Sequence, residues 1–140
     1  MNICKSTYIS IINTIGTLPP EKGGIIGGSD HQVYAFFYDE AAFTNTKTYY
    51  PSENVINNIL DKWDNEDVKF LGVIHSHRCG LSNLSQQDII FARAIIASNP
   101  DHFKQVYFPI VMSSFDSRHS EILPYVISLS DVWLEQLNII

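Results

Sequence analysis

Two histidines separated by one residue end an apolar segment in the middle of the chain. His75 and His77 follow the run from Val68 to Ile74, which has the composition of a central β-strand. In a strand, residues i and i+2 point to the same face of the sheet, so both imidazoles can approach one ion. Asp88 comes eleven positions after His77, in the first turn of a predicted helix. A strand–loop–helix connection of that length can return the carboxylate to the two histidines.

His75, His77 and Asp88 together offer two imidazoles and one carboxylate, which with a water molecule form the ligand set of catalytic zinc. Closed structural zinc sites use four protein ligands, usually several thiolates, and the chain has two cysteines. A non-haem iron oxygenase uses the same ligand types and stays open as an alternative. Each residue also has a structural interpretation, since a buried histidine can serve the core and Ser85 with Asp88 can form a capping box. The conjunction of all three ligands favours one bound zinc ion.

The surrounding pattern alternates helix and strand, which predicts one α/β or α+β domain over residues 1–140. Helical spacing and capping residues predict helices at Ile3–Ile15, Glu53–Trp63 after Ser52, Gln86–Ser98 after Ser85 and Asp131–Ile140 after Ser130. Apolar and β-branched runs predict strands at Lys22–Gly28, His31–Tyr38, Val68–His77, Gln105–Ser113 and Glu121–Leu129. The segment Phe43–Tyr50 is predicted to be a strand or an ordered loop.

The overall composition indicates a folded domain and excludes some classes of function. The chain is 45% hydrophobic and 17% charged, so it can form a core. A net charge of -6 without any run of lysine or arginine argues against nucleic-acid binding. Two cysteines, no recognisable export signal and no apolar run of membrane-spanning length predict a cytoplasmic protein without a membrane partner. The apolar segment Val132–Ile140 is predicted to dock on the core, with a partner or dimer contact as the alternative.

The spacing of the candidate ligands resembles the signature of the JAMM family of zinc metalloproteases, also called MPN+ or JAB. His75-Ser-His77, seven residues, Ser85, two residues and Asp88 follow that pattern. The family also has a glutamate just before a glycine-containing apolar strand, and the segment Pro20-Glu21-Lys-Gly-Gly-Ile-Ile-Gly-Gly28 is similar to that element. The short chain resembles the prokaryotic JAB branch. This resemblance implies an MPN/JAB-like fold, with a central, mostly antiparallel curved sheet flanked by helices in cytidine-deaminase-like layers.

The resemblance also implies roles for these residues. One Zn²⁺ would be bound by His75, His77 and Asp88, Glu21 would be the general base, and the Ser85 hydroxyl would stabilise an oxyanion. The implied reaction hydrolyses an amide or isopeptide bond at the C-terminus of a ubiquitin-like protein, in a conjugate or a precursor. Partners would be that protein, its conjugates and activating or conjugating enzymes. The alternatives are a JAB peptidase acting on sulfur-carrier adducts or small peptides, and a non-catalytic MPN-type scaffold, whose class generally lacks part of the metal set.

The sequence departs from the family pattern directly after the second histidine. Arg78-Cys79-Gly80 stands where the family often has a proline. This difference concerns the loop beside the site, and therefore substrate preference rather than metal binding. Arg78 is a candidate contact for a substrate carbonyl or carboxylate, with a solvated loop residue as the alternative. Cys79 is a candidate redox-sensitive gate near the zinc, with a small loop thiol as the alternative.

Overall fold

The computed structural model describes residues 1–44, 49–78 and 80–140, and they form a mixed α/β structure in which three helices flank a curled sheet. The helices are α1 (Lys5–Thr14), α2 (Glu53–Asn65) and α3 (Gln86–Ser98). The strands are β1 (Asn2–Ile3), β2 (Gly23–Ser29), β3 (Gln32–Tyr38), β4 (Phe43–Thr44), β5 (Tyr49–Tyr50), β6 (Lys69–Arg78), β7 (Gln105–Tyr107), β8 (Ile110–Ser113), β9 (Glu121–Leu123), β10 (Tyr125–Ser128), β11 (Val132–Leu134) and β12 (Asn138–Ile139). The predicted mixture of helix and strand is confirmed.

Strand β6 occupies the middle of the main sheet, whose order is β11-β10-β7-β6-β2-β3-β1-β12. It runs antiparallel to β2 and parallel to both β7 and β8, and β9 pairs with β8. Antiparallel pairing therefore dominates less than the family resemblance implied. The parallel β6–β7 pair follows from the β6–α3–β7 crossover, because a strand–helix–strand connection returns the chain in the same direction, and β1 adds parallel pairs with β3 and β12. The segment Phe43–Tyr50 contributes β4 and β5, which pair with each other, and residues 45–48 within it lie outside the described part.

Two apolar clusters hold the helices on the sheet. The first contains residues of α1 together with Ile26, Ile74 and Val111 from the strands. The second contains Trp63 of α2 and residues of α3, packed on strand residues such as Val73. Side chains alternate between the two faces of the sheet along β6, so Ile74 belongs to the first cluster and Val73 to the second. The odd-numbered residues that follow lie on the same face as Val73. His75 and His77 therefore follow Val73 on the side of α2 and α3.

A glycine lets the central strands approach closely. Gly72 of β6 lies beside Tyr107 of β7, and a Cβ atom at Gly72 would overlap the Tyr107 carbonyl group. Backbone cannot move aside as the end of a flexible side chain can, so only glycine fits at this position. Close approach at Gly72 anchors the parallel β6–β7 pair just before β6 reaches the histidines.

Prolines divide two of the predicted strands. Gln105–Ser113 forms β7 and β8 with Pro109 between them, and Glu121–Leu129 forms β9 and β10 with Pro124 between them. Proline lacks a backbone N–H, so a continuous ladder is interrupted there. The interruption lets β7 pair with β10 while β8 pairs with β9 and β6.

The predicted C-terminal helix is wrong. Asp131–Ile140 contains β11, which pairs antiparallel with β10, and β12, which pairs parallel with β1. Ser130 precedes β11 and does not cap a helix. β11 pairs with the preceding strand β10 across a turn at residues 129–131, whereas β12 obtains its backbone hydrogen bonds from β1 at the start of the chain. Helical apolar spacing carries no information on either pairing. The segment does join the main sheet, although as strands.

The starts of the other predicted helices differ in detail. Ile3 belongs to β1, and α1 begins at Lys5. Ser52 is the N-cap of α2 as predicted, but its side chain makes no capping hydrogen bond. Its backbone N–H instead donates to the buried carboxylate of Asp39 at 2.7 Å. Among the described residues, no helix is long and apolar enough to span a bilayer.

Candidate metal centre

The two histidines lie at the end of β6 on one side of the sheet. His75 is paired with Gly23 of β2 and is 3% exposed, and His77 is 7% exposed. Their rings are edge to face with centroids 4.6 Å apart, and their Nε2 atoms are separated by 2.9 Å. The alternation of a strand therefore brings both imidazoles to one point, as the sequence predicted.

Asp88 reaches the histidines from the first turn of α3. Ser85 caps this helix: its Oγ accepts a hydrogen bond from the Asp88 N–H at 3.1 Å, and the Asp88 carboxylate accepts one from the Ser85 N–H at 2.9 Å. The capping box predicted as a structural interpretation is thus present. The same Oδ2 atom lies 3.2 Å from His75 Nε2, so the carboxylate serves the cap and faces the histidines together.

The three atoms fit one divalent ion. His75 Nε2, His77 Nε2 and Asp88 Oδ2 are separated by 2.9, 3.2 and 3.6 Å. A tetrahedral ion with bonds of about 2.1 Å requires its ligands to be about 3.4 Å apart. Within the described residues these three side chains form a group with metal-binding geometry. Two imidazoles and a carboxylate leave room for a fourth, exchangeable ligand, and the donor set therefore fits a catalytic rather than a closed structural site.

The turn after β6 orients the ring of His77. Its Nδ1 atom lies 3.0 Å from the Leu81 carbonyl oxygen, which requires the proton on Nδ1 and leaves the Nε2 lone pair directed to the site. Burial lowers the pKa of His77, and the neighbouring His75 acts in the same direction. The neutral imidazole is the form that binds a metal. Gly80, with φ of 94°, and a hydrogen bond from the Leu81 N–H to the Arg78 carbonyl at 3.1 Å shape this turn.

The other two candidate ligands, Asp88 and His75, are also held by their neighbours. Burial alone would raise the pKa of Asp88, but hydrogen bonds involving His75 and Ser85 outweigh it and lower that pKa to about 2. Asp88 is therefore ionised at neutral pH. The His75 ring packs edge to face on Phe108, with centroids 5.2 Å apart. His75 Nδ1 is buried and has no hydrogen-bond partner among the residues described.

Glu21 lies in the same cleft although it is distant in sequence. Its backbone N–H donates to the Ser76 carbonyl at 3.2 Å, and Ser76 Oγ accepts a hydrogen bond from the Lys22 N–H at 3.0 Å. Glu21 is thereby attached beside the residue between the two histidines. Its φ of 67° is in the left-handed region, which non-glycine residues adopt at a cost that often marks a functional site.

Burial also changes the acidity of Glu21, which is only 5% exposed. Burial raises the pKa of Glu21 to about 7, although the nearby His75 opposes the shift. Asp88 reinforces the increase and Arg78 opposes it, so both side chains lie close enough to act on this carboxyl group. A carboxyl group that titrates near neutral pH can both accept and return a proton.

The other predicted site residues have different positions. Ser85 is exposed and lines the cleft with Glu21 and the three candidate ligands. Arg78 is the exposed last residue of β6, close enough to lower the pKa of Glu21. Cys79, the candidate redox gate, lies outside the described residues.

The cleft has a volume of about 820 Å³, and several of its walls were not expected from the sequence. Tyr49 covers Gly23 so closely that a Cβ atom there would overlap its ring, and its hydroxyl donates to Asp39 at 2.9 Å. Phe108 and Phe91 contribute further aromatic wall. In the sequence, only Gly80 indicated the turn that brings the Leu81 carbonyl to His77, since glycine is preferred where φ is positive.

Comparison with known proteins gives the fold and no closer relationship. No protein-family model and no curated protein matches the sequence. A protein from Desulfitobacterium hafniense, solved in solution, superposes with a TM-score of 0.76 at 14% identity, over 100% of this chain and 93% of its own. A JAB1/MPN domain protein from Archaeoglobus fulgidus superposes with a TM-score of 0.56 at 16% identity, over 100% and 97%. The chain therefore has a JAB1/MPN-like fold, with a His-His-Asp group that can hold a metal ion at the end of its central strand.

Proposed function

We propose that this protein is a zinc-dependent hydrolase of the JAMM type, which cleaves an amide or isopeptide bond at the C-terminus of a ubiquitin-like protein. The observation that carries the proposal is the buried Glu21 in the same cleft as His75, His77 and Asp88. A metal-binding group alone would suit other chemistry, but hydrolysis needs a proton acceptor next to the nucleophilic water. The JAB1/MPN-like fold and the spacing of the JAMM signature support the same class.

The three ligands would hold a divalent cation between β6 and α3. When bound there, the cation supplies the positive charge that acidifies a water molecule, polarises a carbonyl oxygen and keeps a neighbouring carboxyl group ionised. His77 is kept in the metal-binding tautomer by Leu81, and Asp88 is kept ionised by its hydrogen bonds. These contacts orient the donors before any ion binds, which reduces the cost of assembling the site.

Glu21 and Ser85 perform the proton transfer and charge stabilisation in this proposal. Glu21 accepts a proton from the attacking water and passes it to the amine that leaves as the C–N bond breaks. The Ser85 oxygen accepts from the Asp88 N–H, so its own proton is available for donation to the oxygen of the scissile carbonyl as negative charge develops. In this proposal Arg78, which is exposed at the end of β6 and lowers the pKa of Glu21, contacts a carbonyl or carboxylate of the substrate.

The decisive experiment compares wild-type protein with Glu21→Gln. The substrate is a ubiquitin-like protein joined through its C-terminus to the ε-amine of a lysine, and cleavage is followed by gel and mass spectrometry. Glu21→Gln is expected to retain bound zinc and to lose roughly two to four orders of magnitude in rate. Glu66→Gln, an exposed position outside the cleft, is the matched control and should retain full activity.

Metal analysis of the same samples separates this proposal from a non-catalytic scaffold of the same fold. A hydrolase of this type contains close to one zinc per chain, and EDTA abolishes its activity. A folded wild-type protein that binds no zinc, or a Glu21→Gln protein as active as wild type, would contradict the proposal.

A further inference from the structure

A groove runs from the candidate metal centre across the same side of the sheet, between α2 and α3. Its volume is about 1100 Å³. Its floor includes the buried residues Ile25 and Val73, and its walls include apolar side chains of the two helices. Pro51, Val73 and Phe91 border both the groove and the metal cleft, so the two spaces adjoin.

One face of α3 connects the metal centre with the groove. Asp88, Phe91, Ile95 and Asn99 follow the i, i+3, i+7, i+11 spacing of a single helix face. Asp88 approaches the two histidines, and the other three residues line the groove. At 1.5 Å per residue this face is about 16 Å long. An extended peptide of about five residues covers that distance at about 3.3 Å per residue.

The opposite wall combines an apolar stripe with an acidic one. Ile56, Leu60 and Trp63 of α2 line the groove at helical spacing. Beside them an acidic set, defined as Glu53, Asp61, Asp64 and Asp101, borders the groove with all four side chains exposed.

The acidic set gives the rim negative charge. Among the described residues none of the acidic set forms an ion pair. The groove is also bordered by two basic residues, Lys69 and His102. Lys69 already forms an ion pair with Asp30. A ligand with lysine or arginine side chains complements this rim, whereas a fatty-acid carboxylate or an acidic peptide would be repelled.

We propose that the groove binds a segment of about five residues of the polypeptide substrate, apolar in part and carrying lysine or arginine, next to the bond that is cleaved. This inference rests on the proposed function for the position of the bond, but binding of the segment does not require a metal or cleavage. Apolar side chains contact the floor and the α3 face, and basic side chains contact the acidic set. Phe91, which is 38% exposed, lies where the groove meets the cleft and contacts the segment at that point.

The test measures binding of a defined probe to EDTA-treated protein. The probe is a capped pentapeptide of three leucines and two lysines, and its counterpart has two glutamates in place of the lysines. Trp63 reports occupancy by fluorescence in a Trp133→Phe background, because these are the two tryptophans of the chain. Calorimetry gives the dissociation constant. The lysine peptide should bind at least about tenfold more tightly than the glutamate peptide, and its affinity should fall as salt increases.

Two variants test the surface, each with a matched control. Asp61→Lys/Asp64→Lys should weaken binding of the lysine peptide at least about tenfold, since two attractions become repulsions. Glu121→Lys/Asp131→Lys changes the net charge equally at exposed positions outside the groove and should leave binding within about twofold. Phe91→Ala should weaken binding about tenfold, whereas Phe115→Ala removes a ring that is 97% exposed and should have no effect.

The outcomes separate this inference from the proposed function. Selective binding of the lysine peptide without any metal-dependent cleavage would support the proposed peptide-binding groove and contradict the proposed hydrolase function. Cleavage that is insensitive to Asp61→Lys/Asp64→Lys and to Phe91→Ala would support the hydrolase function and contradict substrate binding in the groove. Equal binding of the lysine and glutamate peptides, or no binding of either at millimolar concentration, would also overturn the groove.

Discussion

Asp88 combines two functions that are usually found in different residues. Its carboxylate accepts the capping hydrogen bond from Ser85, and the same oxygen atom lies 3.2 Å from His75 Nε2. The helix start therefore fixes the position of the candidate ligand, and the cap also keeps it ionised. A mutation that removes the whole side chain would eliminate the capping hydrogen bond and the metal ligand at the same time.

Asp88→Asn separates them. Asparagine keeps a side-chain oxygen that can accept from the Ser85 N–H in the capping box, and loss of the carboxylate charge should cost the metal-free variant up to about 2 kcal/mol of stability. The loss of the anionic ligand should weaken zinc binding by at least about a hundredfold. Urea unfolding and a chelator competition assay measure the two quantities. If Asp88→Asn retains full zinc affinity, Asp88 is a cap and not a ligand.

Glu21 gives a prediction for stability against pH in the metal-free protein. Its pKa is raised from 4.5 to about 7 in the folded state, so between these values the folded chain binds more protons than the unfolded chain. The free energy of unfolding should therefore fall as pH increases from 4.5 to about 7, by up to about 3 kcal/mol from this group. Above pH 7 this contribution is constant.

The control for this effect is Glu21→Gln, which lacks the titrating group. The lowered pKa of His77 produces the opposite slope just below its ordinary value of 6.5, but His77 is present in both proteins. The difference between their unfolding free energies, measured by urea titration at several pH values, isolates Glu21. Parallel profiles for the two proteins would contradict a raised pKa.

At the scale of elements, the turn after β6 is the place where the sequence differs from the family signature. Gly80 has φ of 94° and no atoms near the position of a Cβ, so its requirement for glycine is conformational rather than steric. The turn brings the Leu81 carbonyl to His77 Nδ1. A local choice of residue thus determines the tautomer of a candidate ligand.

Gly80→Ala tests this coupling. The strained backbone should cost about 1–2 kcal/mol of stability, and the displaced Leu81 carbonyl should weaken zinc binding by about tenfold. Gly80→Asn should be milder in both measurements because asparagine tolerates positive φ better. Stability that falls while the zinc dissociation constant stays unchanged would show that Leu81 does not orient His77.

The elements also mark how far sequence patterns can predict this structure. The strand Lys69–Arg78 and the helix Gln86–Ser98 agree with prediction almost to the residue, because their hydrophobic periods and the Ser85 cap are local. The segment Asp131–Ile140 was predicted as a helix and is paired as strands, because β11 forms a hairpin with β10 and β12 pairs with β1, which is remote in sequence. Pro109 and Pro124 each divide a predicted strand, because proline has no N–H to donate to the ladder.

At the scale of the whole molecule, metal binding is coupled to folding. The site joins β6 to α3, and Glu21 is attached to β6 through the Ser76 contacts. A ligand that binds only the folded state stabilises it by about 2.7 kcal/mol at a hundred times its dissociation constant. Zinc at that excess should raise the melting temperature of EDTA-treated protein by about 5–10 °C.

Differential scanning fluorimetry with several ions measures this shift. Calcium and magnesium should have little effect, since both prefer oxygen ligands and the site offers two imidazoles. Asp88→Asn should lose the response to zinc. An equal shift with magnesium, or an undiminished zinc shift in Asp88→Asn, would place the stabilising ion elsewhere.

The sequence by itself determined the candidate ligand set. The i, i+2 spacing of His75 and His77 on an apolar strand and the capping position of Asp88 are local properties, and strand and helix geometry follow from residues a few positions apart. The burial of Glu21, the Leu81 contact and the groove between α2 and α3 were decided by the tertiary structure. Glu21 meets Ser76 across 55 positions and the groove joins elements from separate parts of the chain, and such contacts depend on packing that no local period encodes.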